Sequence, residues 1–62
     1  MNYYYIEYIN KNGYPYKQKV NKKYIKKICD SIEKEQGEIV RVYYIRDLIY
    51  QYEYININYK TL

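Results

Sequence analysis

The chain has no histidine, phenylalanine or tryptophan, and Cys29 is its only cysteine. Without histidine it lacks the side chain that most often exchanges protons near neutral pH, which argues against general acid–base catalysis. One cysteine cannot form an intramolecular disulfide, and it falls short of the roughly four ligands that a structural zinc site needs. We therefore expect a protein with no catalytic residues, no metal and no cofactor.

Signals for export and for membrane insertion are also missing from the sequence. The first residues lack the basic stretch and the apolar run of a signal peptide. No stretch approaches the ~20 apolar residues that a membrane span needs. Since a lone unpaired thiol suits a reducing compartment, we expect a cytoplasmic protein that does not contact a membrane.

The short chain limits how large a core can form. Its 62 residues make a single small domain, residues 1–62, and a chain of this size buries only about 60% of its unfolded surface. With disulfides and metal excluded, association is a common remaining source of stability. An open aromatic face together with ten isoleucines exceeds what one helix can cover, so we expect a homodimer.

All thirteen aromatic residues are tyrosines. An A/T-rich genome would raise the tyrosine count through codon bias, but phenylalanine codons are also A/T-rich, so bias does not explain the choice of tyrosine. Each ring carries a hydroxyl that needs water or a hydrogen-bond partner. This composition favours rings at boundaries, where one edge packs and the other meets solvent or a second molecule.

The first half of the chain predicts a β-hairpin. Residues 3–9 and 14–20 are rich in aromatic and β-branched side chains, which favour strands. Between them lies Asn12-Gly13, the strongest hairpin signal in the sequence, because both residues tolerate positive φ. Pro15 cannot donate a backbone hydrogen bond, and alternating lysines follow it, so residues 14–20 are predicted to form an edge strand.

The middle of the chain predicts one amphipathic helix over about residues 22–36. Asn21 is a suitable N-cap, and Gly37 is expected to end the helix. Four residues form an apolar stripe at helical spacing: Ile25, Ile28, Cys29 and Ile32. The stripe places Cys29 in the core and not at a reactive site.

Residues 39–45 and 50–59 predict a second hairpin, with a weak turn at Arg46-Asp47. Alternation changes phase near Tyr54-Ile55, which predicts a β-bulge or a bend there. The expected fold is therefore α+β with the order ββαββ, in which antiparallel hairpins form one four-stranded sheet and a single helix packs on one face.

Alternation along the predicted strands assigns two faces to the sheet. The face beneath the helix would hold Tyr4, Ile6, Tyr8, Val40, Val42 and Tyr44. The open face would hold Tyr3, Tyr5, Glu7, Arg41 and Tyr43, joined by Lys17 and Lys19. The faces of Tyr50, Tyr52 and Tyr54 stay unassigned because of the phase change.

The net charge of +4 is unevenly distributed along the chain. Residues 17–27 contain six lysines and no acidic residue, whereas residues 28–38 contain four acidic residues and one lysine. Four lysines, namely Lys22, Lys23, Lys26 and Lys27, crowd the start of the predicted helix, which opposes the preference of the helix macrodipole. An anion-binding helix start and an ordinary solvated lysine-rich surface both account for this pattern.

These features are compatible with three functions. The first is a non-enzymatic protein-binding module, an inhibitor or adaptor of the phage or mobile-element type that blocks a host protein, because tyrosine and arginine are typical of binding hot spots. The second is nucleic-acid binding by the basic residues 17–27 and tyrosine stacking. The third is a histidine-free ribonuclease built from Tyr43, Arg41, Lys19 and Glu7, which residue type alone supports.

The candidate binding residues are common to the first two functions. They are the open-face and helix-start residues Tyr3, Tyr5, Lys17, Lys19, Lys22, Lys23, Lys26, Lys27, Arg41 and Tyr43. The preferred hypothesis is the protein-binding module, which would use the tyrosine-rich sheet face and the lysine-rich helix start.

Overall fold

The computed structural model describes residues 3–62 and shows one antiparallel sheet with a helical segment packed against it. The strands are β1 (Tyr3–Asn10), β2 (Pro15–Asn21), β3 (Gly37–Leu48) and β4 (Gln51–Asn56). Their order across the sheet is β2-β1-β3-β4. The predicted ββαββ architecture is confirmed, and β2 is the edge strand that its proline and lysines predict.

The turn between β1 and β2 forms at Asn12-Gly13, as predicted. Gly13 has a φ of 86°, in the left-handed region that glycine occupies without steric penalty. The side chain of Asn10 accepts hydrogen bonds from the backbone N–H groups of Asn12 and Tyr14, both at 2.9 Å. The turn thereby fixes the register that places the β2 lysines beside β1.

The helical segment spans residues 22–36, the predicted extent, but changes type along its length. It consists of a 3-10 turn (Lys22–Tyr24), the helix α1 (Ile25–Ser31) and a π-helical turn (Ile32–Gln36). Asn21 caps it as predicted, because its side chain accepts a hydrogen bond from the Lys23 N–H at 3.0 Å. Within residues 3–62, no helix has the length and apolar character that a membrane crossing requires.

The apolar stripe of the helical segment packs against the centre of the sheet. One buried cluster contains Tyr4, Ile6, Val20 and Val42 from the strands and Ile25, Cys29 and Ile32 from the segment. Tyr8, Tyr44 and Ile28 pack at its rim. The core therefore holds the predicted stripe, and five of the six strand residues predicted beneath the helix contribute to it.

The prediction that Val40 lies beneath the helical segment is wrong, since its side chain is 59% exposed. The register between β1 and β3 shifts at this point: Glu7 pairs with Arg41, but the next residue, Tyr8, pairs with Ile39. Val40 is therefore the extra residue of a β-bulge. The bulge directs Ile39 to the core and keeps Arg41 on the open face.

The second hairpin turns later than the sequence predicts. Leu48 pairs with Gln51, so the turn consists of Ile49 and Tyr50 and does not lie at Arg46-Asp47. β3 consequently extends three residues beyond its predicted end at Ile45.

β4 is shorter than predicted and contains no bulge. Its pairing with β3 is regular throughout, so the irregularity predicted near Tyr54-Ile55 lies in β3 instead. After Asn56 the Ile57 N–H donates to the Val42 carbonyl at 2.9 Å, and a 3-10 turn (Tyr59–Thr61) follows. Ile57 and Tyr59 pack against the core, so the end of the chain closes the helical side of the sheet.

Gly37 lies at a point where β3 passes close to the backbone of β1. A Cβ at this position would lie 2.0 Å from the Ile9 carbonyl oxygen and 2.7 Å from the Asn10 Cα. Its φ of 164° is extended backbone, so Gly37 follows the helical segment as the first residue of β3, and space alone requires glycine there.

Gly37→Ala should lower the free energy of unfolding by about 2 kcal/mol or more, because two backbones must move apart. Gly13→Ala is the matched control: nothing lies within 4 Å of its new Cβ, and only its left-handed φ penalises it, by about 1 kcal/mol. Urea denaturation measures both losses. Equal losses in the two variants would contradict the close approach.

The backbone of the β3–β4 turn can be tested at Tyr50. Tyr50 is the one non-glycine residue with positive φ in the described chain, at 67°. Its side chain is fully exposed, so little packing is lost on substitution. Tyr50→Gly should raise the free energy of unfolding by about 0.5–1 kcal/mol, since relief of the left-handed strain exceeds the entropic penalty of glycine. Tyr50→Ala keeps the strain and should show no gain in urea titrations. A glycine variant no more stable than the alanine variant would refute this account of the turn.

Candidate binding surface

The sheet face opposite the helical segment is the candidate binding surface, and no other helix or strand of residues 3–62 packs on it. We call it the open face. The register places on it Pro15, Lys17 and Lys19 of β2, Tyr3, Tyr5, Glu7 and Ile9 of β1, Glu38, Arg41, Tyr43, Ile45 and Asp47 of β3, and Tyr52, Tyr54 and Asn56 of β4.

Tyr43 is only 1% exposed although it lies on the open face. Its ring stacks on Tyr5 with centroids 5.6 Å apart and meets the ring of Tyr54 edge-on at 5.8 Å. The Arg41 guanidinium lies over the same ring, 4.3 Å from its centroid. Neighbouring side chains of the open face therefore bury Tyr43, and its ring supports the surface without being available to stack on a ligand.

A row of charges crosses the open face at Glu7. Glu7 lies opposite Lys17 on one side and opposite Arg41 on the other, and Arg41 Nη2 donates a hydrogen bond to Glu7 Oε2 at 2.9 Å. This hydrogen bond is the main cause that lowers the pKa of Glu7, and the Tyr43 hydroxyl contributes next. The same contact raises the pKa of Arg41. Glu7 thus holds the guanidinium in place over Tyr43.

Two lysines of β2 lie over tyrosine rings of β1. Lys19 Nζ is 4.8 Å from the centroid of Tyr3, and Lys17 Nζ is 5.1 Å from the centroid of Tyr5. Both contacts are diagonal, because Lys19 is directly opposite Tyr5 and Lys17 is directly opposite Glu7. These cation–π contacts occupy ring faces on which a base would otherwise stack.

Burial keeps the two strongest candidate nucleophiles protonated. It raises the pKa of Tyr43, and the Glu7 carboxylate adds to that rise. Burial likewise raises the pKa of Cys29 to about 11, with smaller contributions from Glu33 and Asp30. The thiolate and the phenolate are therefore scarce near neutral pH, which disfavours covalent or general-base chemistry at either residue.

The residues considered for a ribonuclease are only partly brought together. Glu7, Arg41 and Tyr43 form one cluster, but Lys19 lies apart over Tyr3. Lys17 is the lysine near Tyr43, with its Nζ 6.0 Å from that ring. Within this cluster the Glu7 carboxylate is paired with the Arg41 guanidinium. The cluster therefore stabilises the open face.

The predicted binding residues fall into two groups on opposite sides of the sheet. The open face holds Tyr3, Tyr5, Lys17, Lys19, Arg41 and Tyr43. The helical segment holds the other four, all exposed: Lys22, Lys23, Lys26 and Lys27. The basic residues 17–27 therefore do not form one continuous patch, and the helix start is separate from the aromatic surface.

Two prominent residues of the open face, Tyr52 and Tyr54, were not assigned to it from the sequence. They are 69% and 56% exposed, more than Tyr3 at 50%. Their face follows from the regular pairing of β4 with β3, whereas the sequence pattern placed a bulge within β4. The signal for the true bulge was the adjacent apolar pair Ile39-Val40, which interrupts the alternation of β3.

Neither a metal site nor a known relative defines a function for this surface. In the part of the chain that the structure describes, no three His, Cys, Asp or Glu residues group closely enough to hold a metal ion. Comparison of the chain with protein-family models, curated proteins and solved structures gives no match. The surface itself is therefore the basis for inferring function.

Glu7→Gln tests the support of the open face. It should lower the free energy of unfolding near neutral pH by up to about 1 kcal/mol, because the ion pair is partly exposed and screened by solvent. The folded-state pKa of Glu7 lies below its ordinary value of 4.5. Its contribution is therefore complete above the unfolded-state pKa and is lost as the pH falls through the folded-state pKa.

Urea titrations of both proteins from about pH 7 to about pH 2 measure this effect, and the stability difference should disappear at the acid end. Glu53→Gln is the control, since Glu53 pairs with Arg46 at 2.8 Å in a more exposed position and supports no buried ring. A Glu7→Gln difference that persists undiminished in acid would show that the ion pair is not its cause.

Proposed function

We propose that this protein is a small, non-enzymatic protein-binding module that engages its partner through the open face. The observation that carries this proposal is the exposure of Tyr3, Tyr52 and Tyr54 around the buried Tyr43. Tyrosine and arginine are enriched at binding hot spots. Lys19 contacts the Tyr3 ring and Tyr43 contacts the Tyr54 ring. Rings held before contact lose little conformational freedom on binding, and their hydroxyls can donate to a partner.

The composition of the open face supports a polar protein partner whose acidic groups meet the two lysines of β2. The face carries the cations Lys17, Lys19 and Arg41 against the acids Glu7, Glu38 and Asp47, so its charges balance, with both lysines on β2. Complementary charge would orient the partner and raise the association rate. The exposed rings would supply most of the affinity.

Inhibition or adaptation of a larger host protein, as by small proteins of phages and mobile elements, is the role that fits a chain of this size. A standard interface uses about 800 Å² of each partner, and the accessible surface of the chain is 4956 Å², so the chain has surface enough for one such interface. Blocking a partner requires a firm surface and no reactive group. The buried free thiol of Cys29 supports a reducing compartment, and we place the protein in the cytoplasm.

Nucleic-acid binding is the second candidate, favoured by the lysines that lie beside tyrosine rings on one face. A nucleic acid would first have to displace Lys19 from Tyr3 and Lys17 from Tyr5 before a base could stack there. It would also compete with Glu7 for Arg41. We therefore rank protein binding first.

Affinity capture from a nuclease-treated host lysate tests the proposal. The double variant Tyr3→Ala, Tyr52→Ala should lose the captured protein, with binding weakened at least about 30-fold if either ring is a hot spot worth ~2 kcal/mol. The matched control, Lys22→Glu with Lys26→Glu, changes the helical side of the sheet and should retain the same protein.

Two results would overturn this function. Loss of all captured material on nuclease treatment, with binding that collapses at moderate salt, indicates phosphate contacts and supports nucleic-acid binding. Retention of the protein by the tyrosine variant and its loss from the lysine variant would move the site to the helical segment.

A further inference from the structure

The two edges of the sheet differ in how well they resist pairing with another strand. β2 begins with Pro15, which has no N–H, and carries Lys17 and Lys19, features that protect an edge. β4 contains no proline, lysine or arginine and pairs only with β3. Its one charged residue, Glu53, is paired with Arg46 at 2.8 Å. β4 is therefore the unprotected edge of this sheet.

The hydrogen bond from the Ile57 N–H to the Val42 carbonyl shows which backbone groups of β4 face outward. Hydrogen-bonded and non-hydrogen-bonded pairs alternate in an antiparallel ladder. Counting back from Ile57 through the regular register, the residues bonded to β3 are Ile55, Glu53 and Gln51. The residues whose N–H and C=O groups point to the open edge are Tyr52, Tyr54 and Asn56.

We propose that a second copy of this chain pairs with this edge, β4 against β4 and antiparallel, about a two-fold axis at Tyr54. Tyr54 then lies opposite the partner's Tyr54, and Tyr52 lies opposite the partner's Asn56. All the outward-facing residues of β4 form hydrogen-bonded pairs in this register. The inference goes beyond the proposed function, because it concerns self-association and requires no target.

Charge and length select this register over its neighbours. Opposed residues must share a face of the sheet, so the axis can move only by whole residues along β4. An axis at Glu53 would place Glu53 against the partner's Glu53, and directly opposed like charges are destabilising. An axis at Ile55 would place Tyr52 opposite a residue beyond the end of the partner's strand. With the axis at Tyr54, Glu53 lies opposite the partner's Ile55 and neither penalty arises.

Two-fold pairing also covers the unprotected β4 edges of both copies. The axis is normal to the sheet, so both helical segments lie on one side and both open faces on the other. Tyr52 and Tyr54 of the two copies meet at the centre of one continuous aromatic surface, and the remaining edges are both β2. Head-to-tail pairing of β4 with β2 would meet Pro15 and the β2 lysines and would not close.

Tyr54→Cys tests the register directly. The two introduced thiols would sit in a hydrogen-bonded pair, about 5.5 Å apart between Cα atoms, within the ~4.4–6.8 Å that a disulfide spans. Mild oxidation should convert most of the variant to a covalent dimer on a non-reducing gel. Tyr52→Cys is the matched control on the same edge, because its two thiols would be offset by ~13 Å along the strands. This variant should therefore form no disulfide and should run as a single chain on the non-reducing gel.

Analytical ultracentrifugation over a concentration series tests the association itself. The unmodified chain should approach a limiting mass of two copies. Tyr52→Pro removes an N–H group that points to the open edge and leaves every hydrogen bond to β3 in place. It should weaken dimerisation at least about tenfold relative to Tyr52→Thr, because each of the two symmetric Tyr52–Asn56 pairs loses a donor. Circular dichroism of each variant checks that it is folded.

Three outcomes would overturn the proposal: a monomer at every concentration, growth beyond two copies, or cross-linking of Tyr52→Cys as efficient as that of Tyr54→Cys. Growth beyond two copies would indicate head-to-tail pairing. A monomer would leave the β4 edge open to an extended segment of another protein. None of these measurements includes a target, so failure here is distinguishable from failure of the proposed function.

Discussion

The packing of one short helical segment against β1 and β3 is the constraint on which the rest of the structure depends. Ile25 and Ile32 are buried against the central strands, and no second layer covers the other side of the sheet among residues 3–62. That side must therefore be protected by its own side chains. Arg41 and neighbouring tyrosines bury Tyr43 there, so a chain too small for three layers still builds a packed centre on both sides of its sheet.

The exclusive use of tyrosine follows from the same constraint. A ring on an uncovered face packs with its body and leaves its polar end near water. Tyr44 packs in this way at the rim of the core, where it stacks on the buried Tyr4 at 5.4 Å. Tyr43 is buried beneath Arg41, and its hydroxyl lies beside Glu7 and Lys17 instead of water. Phenylalanine at such boundary positions would present an apolar ring edge to solvent. The use of tyrosine without phenylalanine is therefore consistent with a sheet that is covered on one side only.

The order of elements could be predicted from the sequence because its signals are local. The Asn12-Gly13 turn and the Asn21 cap each depend on only a few neighbouring residues. The exposure of Val40 could not be predicted, because a bulge is a property of two paired strands and not of one. The burial of Tyr43 could not be predicted either, because it requires the Arg41 guanidinium, which Glu7 holds over the ring from the neighbouring strand. The strand residues of the open face could therefore be predicted in outline, but its exposed rings include Tyr52 and Tyr54, whose face the sequence left unassigned.

Cys29 is the only thiol of the chain, and it is fully buried beneath the helical segment. Its pKa of about 11 adds a chemical barrier to the steric one while the segment is in place. A thiol-specific reagent can therefore reach Cys29 only in molecules whose segment has detached from the sheet. When closing is fast relative to labelling, the labelling rate measures the population of opened molecules. The protein thus contains its own reporter of local opening, readable by mass without any introduced probe.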